Sequence, residues 1–342
     1  MTYLKRKKAF DSSDTGSNAM LSSPGMEARH DSVLMKEVLE ALDVQPSDTV
    51  VDATLGGAGH FAELCSALSE GGVIIGIDAD PEAVERARAV YASDRRPERP
   101  VAHLVNDNFR NLARVLERLG VGAVDAILFD LGWSGYQIAA PRGFSFQKDE
   151  PLLMTYGEGG ETAADIVNSS SEGELTDLIY AYGEERFARS IARAIVAARA
   201  KERILTTGVL VRAVEAGTPS WYHRGKVHAA TKTFQALRIA VNDELGALRE
   251  GLAAAISVLA PGGRLAVISF HSIEDRVVKG MLRDAVHSGE GSLVSKKPVT
   301  ATRAEILSNR RARSAKLRVF ERAASVSHAE SSHPAVSALS YA

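Results

Sequence analysis

The chain has 342 residues, of which 45% are hydrophobic and 25% are charged, and this balance predicts a folded protein with a sizeable core. Its net charge of −2 excludes a uniformly basic coat for unselective nucleic-acid binding, but not a local basic patch. The single cysteine, Cys65, excludes a disulfide framework and a cysteine-cluster zinc site, and it predicts a reducing, cytoplasmic location. We expect neither a membrane span nor a secretory signal, because the chain lacks the required apolar runs.

From about residue 31 onward, helical patterns alternate with short apolar runs. Helices are predicted over residues 33–42, 60–68, 81–90 and 109–119. Strands are predicted over residues 49–53, 73–78, 101–105 and 126–130. Strands that are apolar throughout and alternate with helices are typical of a parallel sheet that is covered on both faces.

This alternation stops after Gly132. Ser171 and Glu174 form a capping-box pattern at the start of a helix, and a second apolar helical repeat covers residues 187–199. No strand pattern occurs between residues 137 and 227. We therefore predict that residues 137–227 are an inserted helical substrate domain.

The α/β pattern then resumes. One long amphipathic helix is predicted over residues 234–259, ended by the Pro-Gly-Gly that follows it, and a fifth strand is predicted over residues 265–270. A helix over residues 273–286 and an antiparallel strand over residues 317–320 complete a mostly parallel sheet of about seven strands. The predicted fold is α/β and Rossmann-like. Its core comprises residues 31–136 and 228–323, and residues 1–30 and 324–342 are predicted to be disordered tails.

Polar residues follow the predicted strands, at the sheet edge where open α/β folds bind ligands. The glycine loop at residues 56–59 fits either a dinucleotide or S-adenosylmethionine, and it lacks the strict G-x-G-x-x-G spacing. Asp52 would repel a pyrophosphate, but it suits the ammonium and sulfonium groups of S-adenosylmethionine. Asp78 is placed to hold the ribose hydroxyls, and Phe109 to stack on adenine. The pattern therefore favours a methyltransferase over a nicotinamide dehydrogenase.

Two residue types narrow the chemistry further. Cys65 is predicted to pack inside a helix, whereas methylation at a pyrimidine carbon usually needs a cysteine nucleophile on a loop. Transfer to nitrogen or oxygen is therefore favoured. Histidines 60, 223, 228 and 271 are scattered along the chain, so no metal site is predicted.

Several motifs, in the same order along the chain, resemble those of the bacterial 16S rRNA cytosine-N4 methyltransferases of the MraW (RsmH) type. They are residues 30–34, 52–60, 130–132, 142–146, 182–188, 233–242, 260–265, 269–276 and 311–314. The resemblance implies a class I methyltransferase core that uses S-adenosylmethionine. It also implies the small ribosomal subunit and its 16S rRNA as partner, and a cytidine of the decoding region as substrate. No membrane partner and no metal are expected.

The resemblance also implies where the cofactor binds. The implied contacts are Ala58, Gly59, His60, Asp78, Phe109, Asp130 and Gln137, to which we add Gly57 of the same glycine loop.

Asp130, at the end of the fourth strand, is the predicted acceptor of the N4–H hydrogen bond from cytosine. In-line placement against the methyl group would then allow direct transfer, without a covalent enzyme intermediate. Trp133 or Phe144 is predicted to stack on the extruded base, with core packing as the other interpretation of Trp133. His271 and Ser272 are predicted to line the same pocket, with an ordinary turn and helix cap as their other interpretation.

Two clusters of basic residues are predicted to contact RNA phosphates. Arg186, Arg189 and Arg193 recur at helical spacing, and Arg311 and Arg313 belong to a second cluster near the end of the chain. Phosphate contacts of this kind make affinity fall steeply with salt.

Two stretches next to the predicted acceptor pocket depart from the family's motifs. The family's D-L-G-[VF]-S-S-x-Q-[LI]-D is D-L-G-W-S-G-Y-Q-I-A at residues 130–139, and its G-P-L-D-M-R-M is E-P-L-L-M-T-Y at residues 150–156. These departures leave open a methyltransferase that acts on another RNA base or on a small molecule. They also leave open a non-catalytic ribosome-assembly factor.

Overall fold

A computed structural model describes residues 32–132, 141–157 and 159–324. The predicted tails (apart from Ala324) and the predicted site residues Trp133 and Gln137 lie outside the described residues. Within them, no helix combines the length and the apolar character needed to cross a bilayer.

The first half of the chain follows the predicted alternation. Its strands are β1 (Thr49–Asp52), β2 (Val73–Asp78), β3 (Val101–Asn106) and β4 (Val124–Asp130). Its helices are α1 (Met35–Leu42), α2 (Gly59–Ala67), α3 (Pro81–Ser93) and α4 (Leu112–Leu119), the last preceded by a 3₁₀ turn at Phe109–Asn111. Pro81 opens α3 at its first turn, where a missing N–H costs no helical hydrogen bond.

The middle of the chain is helical in the described ranges. Its helices are α5 (Ala163–Ser169), α6 (Glu172–Gly183), α7 (Ala188–Arg199) and α8 (Thr207–Ala216). The predicted capping box is confirmed, because Ser171 Oγ accepts the Glu174 N–H at 3.2 Å and Glu174 Oε2 accepts the Ser171 N–H at 2.7 Å. Residues 141–157 and 159–227 contain no strand, only an isolated bridge between Pro151 and Thr206.

The last part of the chain returns to the sheet. Its elements are α9 (Thr231–Val241), α10 (Glu244–Val258), β5 (Leu259–Ser269), α11 (Ser272–His287), β6 (Gly291–Leu293), α12 (Arg303–Ser308) and β7 (Lys316–Arg322).

The prediction of one long helix over residues 234–259 is wrong. The helix is interrupted at Asn242 and Asp243, and Asp243 has a left-handed backbone with φ of 45°. Asn242 donates a side-chain hydrogen bond to the Met154 carbonyl at 2.7 Å and accepts the Tyr156 N–H at 3.1 Å. A contact with a distant loop therefore accompanies the break, while the apolar spacing runs on through both helices. The Pro-Gly-Gly that was predicted to end the helix instead lies within β5 (Leu259–Ser269).

The strands form one sheet in the order β3-β2-β1-β4-β5-β7-β6. The first five are parallel, β7 is antiparallel to β5, and β6 is antiparallel to β7. This arrangement confirms the predicted Rossmann-like α/β fold and the antiparallel last strand. The short edge strand β6 has no counterpart among the predicted elements, because three residues are too few to show a period.

Alternating side chains on the strands enter separate cores on the two faces of the sheet. Val50 and Ile74 pack in the core under α1, α2 and α3, whereas Val51 and Ile75 pack in the core under α4, α10 and α11. Burial on both faces explains why these strands are apolar throughout. A third core joins the middle helices to α9, whose Phe234 is part of it, so this core extends beyond residue 227.

The close crossing of α6 and α9 gives a test of the packing among these helices. A Cβ atom on Gly183 would lie 2.6 Å from the Lys232 carbonyl oxygen, which belongs to the backbone of α9 and cannot rotate away. We expect Gly183→Ala to lower the free energy of unfolding by about 1–3 kcal/mol. The matched control is Gly173→Ala in the same helix, where the nearest atom is 3.9 Å away. The control should be neutral or slightly stabilising in urea denaturation, and equal losses for both variants would contradict the packing argument.

Candidate active site

A cleft of about 770 Å³ lies at the carboxyl ends of the parallel strands. Three predicted cofactor residues, Asp78, Phe109 and Asp130, line it together. They come from the ends of three different strands, which the parallel sheet brings to one edge. A polar wall of the same cleft is built by residues that were not predicted to belong to the site: Tyr156, Asn242, Glu244 and Glu274.

A second, smaller cavity of about 270 Å³ adjoins the cleft at Asp130. Its lining includes the predicted residues Gly57, Gly59, His60 and Arg311. Ala58, by contrast, is buried and lines neither cavity. Its left-handed backbone, with φ of 63°, precedes the first residue of α2.

Asp78 organises the floor of the cleft through backbone hydrogen bonds. Its Oδ2 atom accepts the Gly56 N–H at 2.8 Å, and its Oδ1 atom accepts the Asp80 N–H at 2.8 Å. Burial raises the pKa of Asp78 to about 6, and the two N–H donors oppose that rise. Each carboxylate oxygen keeps a second lone pair, so Asp78 can still accept hydrogen bonds from a diol.

Asp130, which is partly buried and lines both cavities, pairs with the buried His60. His60 Nδ1 lies 3.4 Å from Asp130 Oδ2, and His60 Nε2 lies 3.1 Å from the Val33 carbonyl oxygen. Burial opposes a charge on His60, but the contact with Asp130 outweighs it and raises the His60 pKa. Burial likewise opposes ionisation of Asp130, yet the His60 hydrogen bond, the Gly132 N–H and the charge of Arg311 lower the Asp130 pKa. Asp130 is therefore a carboxylate at neutral pH.

Asp52 does not reach either cavity. It is fully buried, its Oδ1 atom accepts the Thr54 N–H at 3.1 Å, and its Oδ2 atom has no hydrogen-bond partner among the described residues. Burial raises the Asp52 pKa to about 7. Asp52 is absent from the lining of both cavities, so the direct contact with a cationic ligand that the sequence suggested is not part of the cleft.

The polar wall of the cleft is part of a network of polar contacts. This network joins the loop that carries Tyr156 to helices α9 and α10. Arg238 binds Glu244 with both arms of its guanidinium, Nε at 2.8 Å from Oε1 and Nη2 at 2.9 Å from Oε2. The Tyr156 hydroxyl donates to Glu244 Oε1 at 2.6 Å, and burial followed by the Glu244 charge keeps the Tyr156 pKa well above its usual value. Arg238 and Asn242 belong to the family motif at residues 233–242, and this motif was the available signal for the wall.

The predicted catalytic residues His271 and Ser272 line neither cavity. His271 precedes α11, accepts the Glu274 N–H at 3.3 Å through Nδ1, and lies 2.8 Å from Glu274 Oε1 through Nε2. Ser272 donates to Glu184 Oε2 at 2.7 Å. The structure thus places both residues in the alternative role of a turn and helix cap. A catalytic role for either remains a prediction without a geometric contact to support it.

Glu244, His271 and Glu274 also bring three metal-binding side chains within 4.8 Å of one another. The Arg238 guanidinium is bonded to Glu244 and lies 3.9 Å from Glu274. A cation supplied by the protein itself, the Arg238 guanidinium, therefore already contacts both carboxylates.

The predicted substrate residues occupy several different places. Phe144 is only 9% exposed and stacks on Tyr156, with the ring centroids 5.7 Å apart, and Tyr156 lines the cleft whereas Phe144 does not. Arg311 lines the smaller cavity, whereas Arg313 is exposed. The arginines of the middle helices lie on the surface, and Arg193 pairs with Glu172 at 3.6 Å. Trp133 lies outside the described residues.

The MraW methylase family model matches residues 27–323. The chain belongs to this family. It is 50% identical over 296 residues to ribosomal RNA small subunit methyltransferase H of Deinococcus radiodurans, covering 86% of this chain and 90% of the relative. The proteins of the same name from Deinococcus deserti and a Paenibacillus species are 49% and 44% identical, each over 86% of this chain and over 93% and 99% of the relative.

Membership in a methylase family confirms S-adenosylmethionine as the cofactor of this methylase. The cleft fits that cofactor in its chemistry. A partly buried carboxylate with free lone pairs, Asp78, lies in the same lining as the aromatic ring of Phe109, and these groups suit a ribose and an adenine. The Phe109 ring is held edge-on against Phe129, with centroids 5.4 Å apart, which limits its freedom before any ligand binds.

The Asp78 carboxylate gives a test of the cofactor site. We expect Asp78→Asn to raise the dissociation constant for S-adenosylmethionine about 10- to 100-fold, because a hydrogen bond to a charged group contributes about 1.5–3 kcal/mol. In the wild type, affinity should also fall as the pH drops below about 6, where Asp78 gains a proton and loses its acceptor character. The variant should lose this part of the pH dependence. Calorimetry between pH 8 and pH 5 measures both effects.

The matched control is Asp107→Asn. Asp107 follows the neighbouring strand β3 and bonds Asn111 and Arg118, but it lines neither cavity. Equal affinity for both variants and the wild type would show that Asp78 does not hold the cofactor.

Proposed function

We propose that this methylase transfers a methyl group from S-adenosylmethionine to the exocyclic N4 of a cytidine in the decoding region of 16S rRNA. The relatives' names support a small-subunit rRNA substrate. The motifs at residues 130–132 and 233–242 support the cytidine, through the resemblance to cytosine-N4 methyltransferases. The observation that carries the proposal is the ionised Asp130 carboxylate at the junction of the two cavities.

The cytosine amine is a weak nucleophile, because its lone pair is delocalised into the ring. A carboxylate that accepts a hydrogen bond from N4–H localises that pair, and Asp130 has this acceptor available in its ionised form. The cofactor supplies the electrophilic methyl group. As N4 gains the methyl group it loses one proton, and Asp130 is the base we assign to receive it.

Direct transfer is also supported by the position of the chain's single cysteine. Cys65 is buried in α2 and lines neither cavity, and burial raises the pKa of its thiol. A protonated, buried thiol is a poor nucleophile. We therefore propose a mechanism without a covalent enzyme intermediate.

We assign the two parts of the chain different tasks. The core, residues 31–136 and 228–323, holds the cofactor, and the inserted helices of residues 137–227 hold the RNA. The polar network around Arg238 joins them, because Tyr156 comes from the insertion side whereas Glu244 begins α10 of the core. A substrate bound to the insertion is thereby set against the cofactor cleft.

One observation favours a second candidate, a methyltransferase with a different RNA base as its target. Tyr156 faces the cleft at the position where the family's motif has methionine, and its hydroxyl is bonded to Glu244. A polar wall in place of an apolar one changes which base edge the pocket can accept.

Methyl transfer from labelled S-adenosylmethionine to small ribosomal subunits that lack modification, followed by nucleoside analysis, separates these candidates. We expect N4-methylcytidine. Another methylated nucleoside would support the second candidate, and cofactor binding without transfer would support a non-catalytic assembly factor.

Asp130→Asn tests the assigned acceptor in the same assay. The amide keeps the volume but loses the negative charge, so we expect kcat to fall about 10²- to 10³-fold. The loss of cofactor affinity should be smaller than the loss of kcat. Asp107→Asn is again the control and should retain kcat. An Asp130→Asn variant with wild-type kcat would contradict the assignment.

A further inference from the structure

An aromatic cluster beside the middle helices, in the segments that precede α7 and follow α8, lies outside the two cavities. It consists of Arg186, Phe187, Trp221 and Tyr222. The Arg186 Cζ atom lies 4.8 Å from the centroid of the Trp221 ring, 4.9 Å from that of Phe187 and 5.4 Å from that of Tyr222. The three rings meet edge to face, with centroids 5.0–5.9 Å apart. Despite these contacts, Trp221 remains 56% exposed.

A buried carboxylate holds this cluster in place. Glu185 has no exposed surface, and its Oε2 atom accepts the Tyr222 hydroxyl at 2.6 Å while Oε1 accepts the Phe187 N–H at 2.9 Å. Burial and the hydrogen bond to Glu185 raise the pKa of Tyr222 to about 12, so the phenol stays a donor. The exposed indole of Trp221 therefore packs against side chains that are themselves held in place.

The surroundings of the cluster are cationic. Arg189, Arg224 and Lys226 are exposed and form no ion pair with any described carboxylate. The nearest acids along the chain are otherwise engaged, because Glu185 is buried, Glu184 pairs with Arg276, and Glu215 contacts His228 at 3.7 Å. Cations beside an exposed aromatic ring match the two needs of an unpaired RNA strand, which are phosphate neutralisation and base stacking.

The cluster is also tied to the edge of the sheet that carries the cleft. Glu184 accepts the Ser272 hydroxyl at 2.7 Å and pairs with Arg276, and both partners belong to the first turns of α11, just after β5 ends. Glu185, the next residue, anchors the aromatic cluster. Two consecutive side chains thus connect the core's ligand-binding edge to Trp221.

We infer that Trp221, backed by Arg186, is a stacking platform for an unpaired base of the RNA substrate outside the acceptor cleft, with Arg189 and Arg224 on the flanking phosphates. The Arg186 guanidinium covers one face of the Trp221 indole, and an RNA base would stack on the other face. The inference rests on the proposed RNA substrate and adds a second contact to it.

Fluorescence titration tests the platform directly. The chain has two tryptophans, so in a Trp133→Phe background Trp221 is the only tryptophan, and light that tyrosine does not absorb excites it selectively. We expect a single-stranded 12-nucleotide oligoadenylate to quench this emission at low salt, and a duplex of the same length to leave it largely unchanged. Quenching of equal size by both would overturn the stacking.

The affinity for the same oligoadenylate, measured with single variants that keep Trp133, gives the contribution of Trp221 to binding. We expect Trp221→Ala to raise the dissociation constant about tenfold and Trp221→Phe to recover part of the loss, since stacking of one base on an aromatic side chain is worth this much. The control is Tyr180→Ala, which removes an aromatic side chain that is 67% exposed but lies outside the cluster.

Arg189→Gln and Arg224→Gln should each reduce the slope of log affinity against log salt by about 0.7. Equal affinities for Trp221→Ala, Tyr180→Ala and the wild type would overturn the proposal.

Methyl transfer separates this inference from the proposed function. On unmodified small subunits, Trp221→Ala should raise KM and leave kcat unchanged. If the wild type methylates cytidine but Trp221→Ala changes neither KM nor oligonucleotide affinity, the platform is wrong and the proposed function stands. If the wild type transfers no methyl group to small-subunit RNA while the single strand still quenches Trp221, the proposed substrate is wrong and the platform stands.

Discussion

The candidate site depends on the buried contact of His60 with Asp130. One imidazole nitrogen faces the Asp130 carboxylate and the other faces the Val33 carbonyl, so both favour the protonated ring. The contact joins the segment before α1, the first turn of α2 and the end of β4. It also keeps Asp130 ionised in a buried place, which is the state that the proposed reaction needs. Removing one partner of such a buried pair typically costs about 3–5 kcal/mol, so the chemistry and the stability of this region rest on the same contact.

A second set of contacts relates the middle helices to that site. Arg238 and Glu244 form a two-armed ion pair, and the Tyr156 hydroxyl completes it from the loop before α5. Glu184 reaches the first turns of α11 from the other side. The helices that carry the proposed RNA contacts are therefore connected to the cleft wall at two places. A planar guanidinium in a bidentate pair fixes the direction of the contact as well as its length. The Arg238–Glu244 pair therefore also sets the orientation of α9 relative to α10.

The parallel strands could be predicted because each is buried between two layers of helices and is therefore largely apolar. The residues after the strands could be predicted for the same reason, since a parallel sheet collects strand ends at one edge. Other features could not be predicted from local sequence. The helix break at Asp243 goes with contacts between Asn242 and a loop nearly ninety positions away, and the apolar spacing continues across it. Phe144 has the right chemistry for stacking on a base, but it stacks on Tyr156 and does not line the cleft.

The sequence by itself determined the Rossmann-like class, the family and the cofactor. It also determined that polar residues follow the parallel strands. These follow from local periodicity and from motifs whose residues are close together in the chain. Tertiary structure decided which side chains share a cavity. It buried Asp52 away from the cleft lining, placed His271 at the start of a helix, and brought Tyr156 and Glu244 into the same lining as Asp78. The physical reason is that burial and pairing depend on neighbours from distant segments, and a one-dimensional pattern carries no distances between them.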